Sequence, residues 1–245
     1  MNHRKNELLE RARGHVASDI LRKGTFGDYA EGFCGCSIGC HLHDIVTGRE
    51  AFAAVAQPCR VVAEYYGYPE WLAQFQCYIF EKLPDEVGRA FHIDIAAAIA
   101  VCPAEVDWQT ALHLFHVDVL RMVMLSAGVA EQVVSHVIEL HRRALTQAVD
   151  EREWVTAEVA ARSFMRSLEW DPQDYATWKT IAAAMAAQAA AGSASWPDEY
   201  DAARSAAESV RLSAIWFDRW TIDPSDVAAA ALRAIADISQ RDGDP

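Results

Sequence analysis

The chain has 245 residues, 52% of them hydrophobic, enough to bury a sizeable core in one large domain or two small ones. Its formal net charge of −13 argues against a general nucleic-acid binder, which needs a basic surface, and against docking on an anionic membrane. No apolar run is long enough to span a bilayer, and the charged start Met1–Glu10 has no apolar stretch behind it, so a cytoplasmic protein is expected.

Helical periodicity dominates. Leu9, Ala12, Val16 and Ile20 recur along one face of a helix expected over residues 6–23, which Gly24 ends. A Gly-rich loop runs through Gly27 to Gly35, and a short helix follows from Ser37. Arg60 to Tyr66 leans weakly towards a strand, and no other run alternates like one. Pro69 suits the first position of a helix carrying Trp71, Leu72, Phe75, Ile79 and Phe80, which Pro84 stops. Further apolar helices are expected over 87–101, 107–125 and 130–148.

After Asp150 the composition turns Ala-rich and Cys-free. Small residues there would let helices approach closely, with Trp170, Trp178, Trp196, Trp216 and Trp220 filling wider gaps. Trp216, Phe217 and Trp220 form an aromatic knot, and Asp223-Pro-Ser-Asp226 looks like a helix start. The expected fold is therefore all-α. A multi-helix bundle carries a Cys/His-containing part (1–150) and an Ala-rich helical part packed on it (151–245), the two forming separate domains or one continuous one.

One segment is chemically unusual: Gly32-Phe-Cys-Gly-Cys-Ser-Ile-Gly-Cys-His-Leu-His-Asp44. On a helix, Cys36, Cys40 and His43 fall at i, i+4 and i+7, one stripe, with Asp44 at its edge. The stripe can be dry core, because Cys packs as a small hydrophobe and Gly35 and Gly39 admit a close neighbour. It can be a metal site for zinc or another divalent ion, with Cys36, Cys40, His43 and Asp44 as ligands. It can hold a reactive thiol, with Cys40 as nucleophile, His43 as its base and the helix dipole favouring a thiolate at Cys36. His92, His113 and His116 could add ligands, but a buried histidine with one hydrogen bond is the simpler account of His116, and of His141 on its inward stripe. Asp118 and Arg121 suit an ordinary surface pair.

Cys40-His-Leu-His-Asp-Ile45 resembles the signature of the HD phosphohydrolases. The resemblance implies an all-helical metal-dependent phosphoesterase. Its ligands would be His15, 28 residues before His43, then His43 and Asp44, and a later Asp94 or Asp118. Val46-Thr-Gly48 stands where that family often shows Gly-Lys. A broader resemblance rests on Gly35-Cys-Ser-Ile-Gly-Cys40, Gly67-Tyr-Pro-Glu-Trp-Leu-Ala73 and Ile79-Phe-Glu-Lys-Leu-Pro84. These look like an uncharacterised group of bacterial and phage or plasmid proteins with Ala/Ser/Trp-rich helical C-termini. That group implies an accessory role in a mobile element and no catalytic residue. The leading expectation is a binding or interaction protein with a Cys/His pocket, for a protein or small-molecule partner, with a homodimer left open. HD-type hydrolysis and a Cys40/His43 thiol enzyme are the alternatives.

Overall fold

The computed structural model describes residues 2–125, 127–168, 175–195 and 223–241. These residues are all-α: helices of up to 21 residues, one 3-10 turn at Gly128–Ala130 and two isolated β-bridges. None of the described helices is long and apolar enough to cross a membrane. The aromatic knot at Trp216, Phe217 and Trp220, together with Trp170 and Trp196, lies outside the described residues, and the side chain of Trp178 is likewise not described.

Two compact units divide the chain: residues 1–108 with 235–245, and residues 109–234. The compositional shift at Asp150 thus falls inside the second unit.

The first unit holds α1 (Asn2–Ala17), α2 (Ser37–Ile45), α3 (Arg49–Ala53), α4 (Pro58–Tyr66), α5 (Glu70–Lys82) and α6 (Asp85–Val101). Helix α1 turns Lys5, Leu8, Ala12 and His15 inward, a stripe one residue away from Leu9 and Val16. Lys5 is fully buried, and its ammonium donates to the Pro103 carbonyl at 2.7 Å and the Cys102 carbonyl at 3.3 Å, beyond the C-terminus of α6. Those carbonyls sit at the negative end of a helix dipole, where a cation is stabilised. With Lys5 beside residue 103 and His15 beside His92, α1 and α6 run antiparallel.

The weakly strand-like run at 60–66 is helical. Pro58 opens α4 at its first turn, and Gly67 closes it in the left-handed conformation at φ 77°. Helix α5 begins one residue after Pro69, which caps it, and buries the expected Trp71, Leu72, Phe75, Ile79 and Phe80.

The segment between α1 and α2 folds back on itself, pairing Arg22 with Gly35 and Asp28 with Cys34 through backbone hydrogen bonds. It lies directly on α2. A Cβ at Gly39 would stand 1.6 Å from the Phe26 carbonyl oxygen, and one at Gly35 would stand 2.6 Å from it. The two glycines admit a close neighbour, as their spacing suggests, but that neighbour is a loop backbone and not a helix.

The second unit holds α7 (Trp108–Met124, from Gln109 onward), α8 (Glu131–Ala144), α9 (Glu151–Ser167), α10 (Tyr175–Ser195) and the first part of α11 (Pro224–Arg241). Helices α9 and α10 pack against each other; α9 buries Ala157 and Ala161, and α10 buries Ala183, Ala187, Ala190 and Ala191 among others. Asp223 starts α11 by accepting from the Ser225 amide at 2.8 Å.

Candidate metal centre

Helix α2 is buried on two adjacent stripes. The first carries Cys36 and Cys40 into an apolar cluster with Leu21 and Phe80, flanked by Val16, Ile20, Phe26, Phe33 and Cys77. Cys36 caps the helix, its sulfur accepting from the Gly39 amide. The capping geometry does not make a reactive thiolate. The Cys77 thiol at 3.9 Å and burial push the Cys36 thiol well up, and burial does the same to Cys40. Cys77 is itself raised to about 12. These thiols stay protonated at neutral pH, so the expected nucleophilic pairing of Cys40 with His43 gains no support from their surroundings.

His43 leaves the stripe altogether. Its ring stacks on Phe33 at 3.8 Å between centroids, close to Tyr29. Asp94 is exposed on α6. Asp118 lies in the second unit and pairs with Arg233 at 3.2 Å and Arg121 at 3.6 Å.

The second stripe of α2 is one residue further on: Ser37, His41 and Asp44, again i, i+4 and i+7. It faces His15 of α1 and His92 of α6. His15 Nε2 lies 2.8 Å from Asp44 Oδ2, His15 Nδ1 lies 3.0 Å from His92 Nε2, and His92 Nδ1 lies 2.7 Å from Ser37 Oγ. Gln76 donates to Ser37 Oγ at 2.8 Å, and Tyr68 donates to Gln76. Arg11 stands 3.9 Å from the other Asp44 oxygen. The sequence pairing of His15 with Asp44 is therefore present, with His41 and His92 in place of His43.

His41 is the anomaly of this group. It is fully buried, its ring stacked 4.7 Å from His92 and edge-on to His15, yet neither ring nitrogen has a hydrogen-bond partner. A buried polar atom left unpaired costs about 1–3 kcal/mol. Burial holds His41 well below the ordinary imidazole range and takes His92 down to about 3, with neighbouring imidazoles adding to both shifts. Both rings are neutral, the form that binds metals.

One nitrogen from each of His15, His41 and His92 lies within 4.8 Å of the others. Two imidazoles on one tetrahedral zinc stand about 3.4 Å apart, given Zn–N bonds of about 2.05 Å. The outer nitrogens are already held as metal-binding histidines usually are, His15 by a carboxylate and His92 by a hydroxyl. The Tyr66 hydroxyl, also buried without a partner, sits on a ring 5.8 Å from that of His41.

No protein-family model, curated protein or solved structure matches this chain. The geometry of the centre therefore carries the functional argument.

Sequence reasoning missed His41 as a ligand and treated His92 as an accessory one. One signal was there to find. Phe91-His-Ile-Asp-Ile95 and Phe115-His-Val-Asp-Val119 are the same pattern of five residues, and each carries a buried histidine.

Proposed function

We propose that this chain is a metal-binding protein that holds a divalent transition-metal ion among His15, His41 and His92. The observation that carries this is His41: a fully buried imidazole with both nitrogens unpaired, next to two imidazoles that turn their inner nitrogens towards each other. An ion at this point would satisfy His41 and replace the strained need for one of His15 and His92 to donate to the other. Imidazole ligands suit zinc, copper, nickel or iron, and zinc is the first choice. Asp44 supplies negative charge behind His15.

The site is closed: His15 is 4% exposed, and His41 and His92 are 0% exposed. Closure favours an ion that clamps α1, α2 and α6 together over one that turns over substrate. This keeps the binding-protein reading and moves its pocket from the cysteines to the histidines. HD-type hydrolysis has the His15–Asp44 contact in its favour, but it needs His43 and an Asp from α6 or α7 at the same ion.

The test is elemental analysis of tag-free protein prepared without chelator, then dialysed against zinc, cobalt(II), manganese(II) or iron(II). The native chain and His43→Gln should retain an ion that His41→Gln loses. If no ion is retained by the native chain, or if His41→Gln retains as much as the native chain, the proposal fails. Phosphodiesterase activity abolished by His43→Gln would restore the hydrolase reading.

A further inference from the structure

All six cysteines are free thiols, and two of them meet between α2 and α5. Cys36 Sγ, at the cap of α2, lies 3.9 Å from Cys77 Sγ, inside α5. The adjacent residues tie the same two helices together, because Gln76 Nε2 donates to Ser37 Oγ at 2.8 Å. Residue 36 is thus paired with 77 and residue 37 with 76, which holds both backbones in place beside the sulfur contact. Cys77 is half-buried, whereas Cys36 is 2% exposed. Leu21, Cys40 and Phe80 belong to the same apolar cluster.

The two sulfurs are not equivalent. Cys36 lowers the Cys77 thiol, while Cys59, burial and Glu81 raise it, and it stands at about 12. Cys77 in turn pushes the Cys36 thiol further up, as burial also does. Cys77 is therefore the first of the pair to ionise, and it is also the more exposed. A disulfide needs its sulfurs about 2.05 Å apart. Rotation of the two side chains closes the present 3.9 Å without moving a helix.

We propose that Cys36 and Cys77 are a reversible oxidation site, which takes a hydroperoxide as oxidant and closes a disulfide between α2 and α5. The Cys77 sulfur attacks one peroxide oxygen: an S–O bond forms, the O–O bond breaks, and the leaving oxygen departs with the thiol proton as water or an alcohol. The Cys36 sulfur then attacks the Cys77 sulfur of this sulfenic acid. An S–S bond forms, the S–O bond breaks, and the hydroxyl leaves with the Cys36 proton as water. Two electrons pass from the two sulfurs to the peroxide. The attacking species is the thiolate, so the reaction is slow at neutral pH and quickens by about tenfold per pH unit. None of the three histidines takes part, so this proposal stands apart from the metal reading.

Thiol titration and peptide mapping of the tag-free, full-length chain, treated with hydrogen peroxide at pH 8, test this. Two of the six thiols should disappear, a cross-linked Cys36–Cys77 peptide should form, and a dithiol reductant should restore all six. Cys36→Ser keeps a capping side chain on α2, and there Cys77 should stop at the sulfenic acid with one thiol lost. Cys102→Ser should form the same cross-link as the native chain. A native chain that keeps all six thiols overturns the proposal. So does a cross-link that joins Cys77 to Cys59, or a loss of two thiols that persists in Cys36→Ser. If Cys36→Ser does not fold, the map of the native chain decides, because it names the two residues joined.

Discussion

Two groups of buried histidines, His15, His41 and His92 in the first unit and His113, His116 and His141 in the second, are supported differently. In the first unit, His15 leans on a carboxylate and His92 on a hydroxyl that is itself held by Gln76. In the second, His113 Nδ1 and His141 Nδ1 face each other at 2.9 Å and the Trp154 indole lies parallel to the His113 ring. Hydrogen-bonded outer partners fix ring orientation and raise ligand basicity. The first cluster is thus prepared for positive charge.

Acid separates them most strongly. Burial lowers His92 and His116 to about 3, and His41 and His141 well below their ordinary value. Between an unfolded value of about 6.5 and those folded values, the unfolded chain binds more protons. Stability therefore falls as pH drops below 6.5 and is unaffected above it, by up to about 1.4 kcal/mol per pH unit for each such histidine. Chelator-treated protein should lose several kcal/mol between pH 7.5 and 5, measured by urea denaturation. Hydrogen exchange should show α7 and α8 opening at higher pH than α1 and α6, because the Asp44 carboxylate in contact with His15 offers the first cluster a counter-charge. The opposite order would break the comparison.

Gly39→Ala should cost about 3 kcal/mol, since the new methyl meets the Phe26 carbonyl and a backbone must move. The loss should appear in the first unit alone, as a lower urea midpoint with unchanged exchange protection in α8 and α9. Asp44→Asn should weaken metal binding at the first centre by about 10–100-fold, the usual effect of removing such a partner. Asp94→Asn and Asp118→Asn come last. One is exposed and the other sits in a surface ion pair, so each should shift stability by less than about 1 kcal/mol in thermal melts.

The helices were legible because their apolar residues repeat at helical spacing. Trp71, Leu72, Phe75, Ile79 and Phe80 are buried as that spacing demands. The centre was nearly legible and missed by one residue. On α1 the apolar pattern selects Leu9 and Val16, yet Leu8 and His15 face inward; on α2 it selects Cys36, Cys40 and His43, yet Ser37, His41 and Asp44 face the other histidines. Hydrophobic periodicity finds the apolar edge of a buried face. A stripe that puts Lys5, His15, Ser37 and His41 into the interior is invisible to it, because those residues score as solvent-facing until their partners are known. The partners come from α1 and α6, and nothing local to residues 32–44 names them. The resemblance to HD proteins did pair His15 with Asp44, and that contact is present at 2.8 Å.

The order in which the two clusters can assemble follows from the layout of the units. His113 and His141 are 28 residues apart, whereas His15 and His92 are 77 apart. Closing the longer loop costs about 1 kcal/mol more in chain entropy. The first unit also takes in residues 235–245, with the whole second unit inserted between its parts. All three histidines of the first centre precede the second unit in the chain, and residues 235–245 join the first unit last. A nascent chain would therefore pass through a stage in which the histidines of the first centre are all made while the last segment of their unit is not.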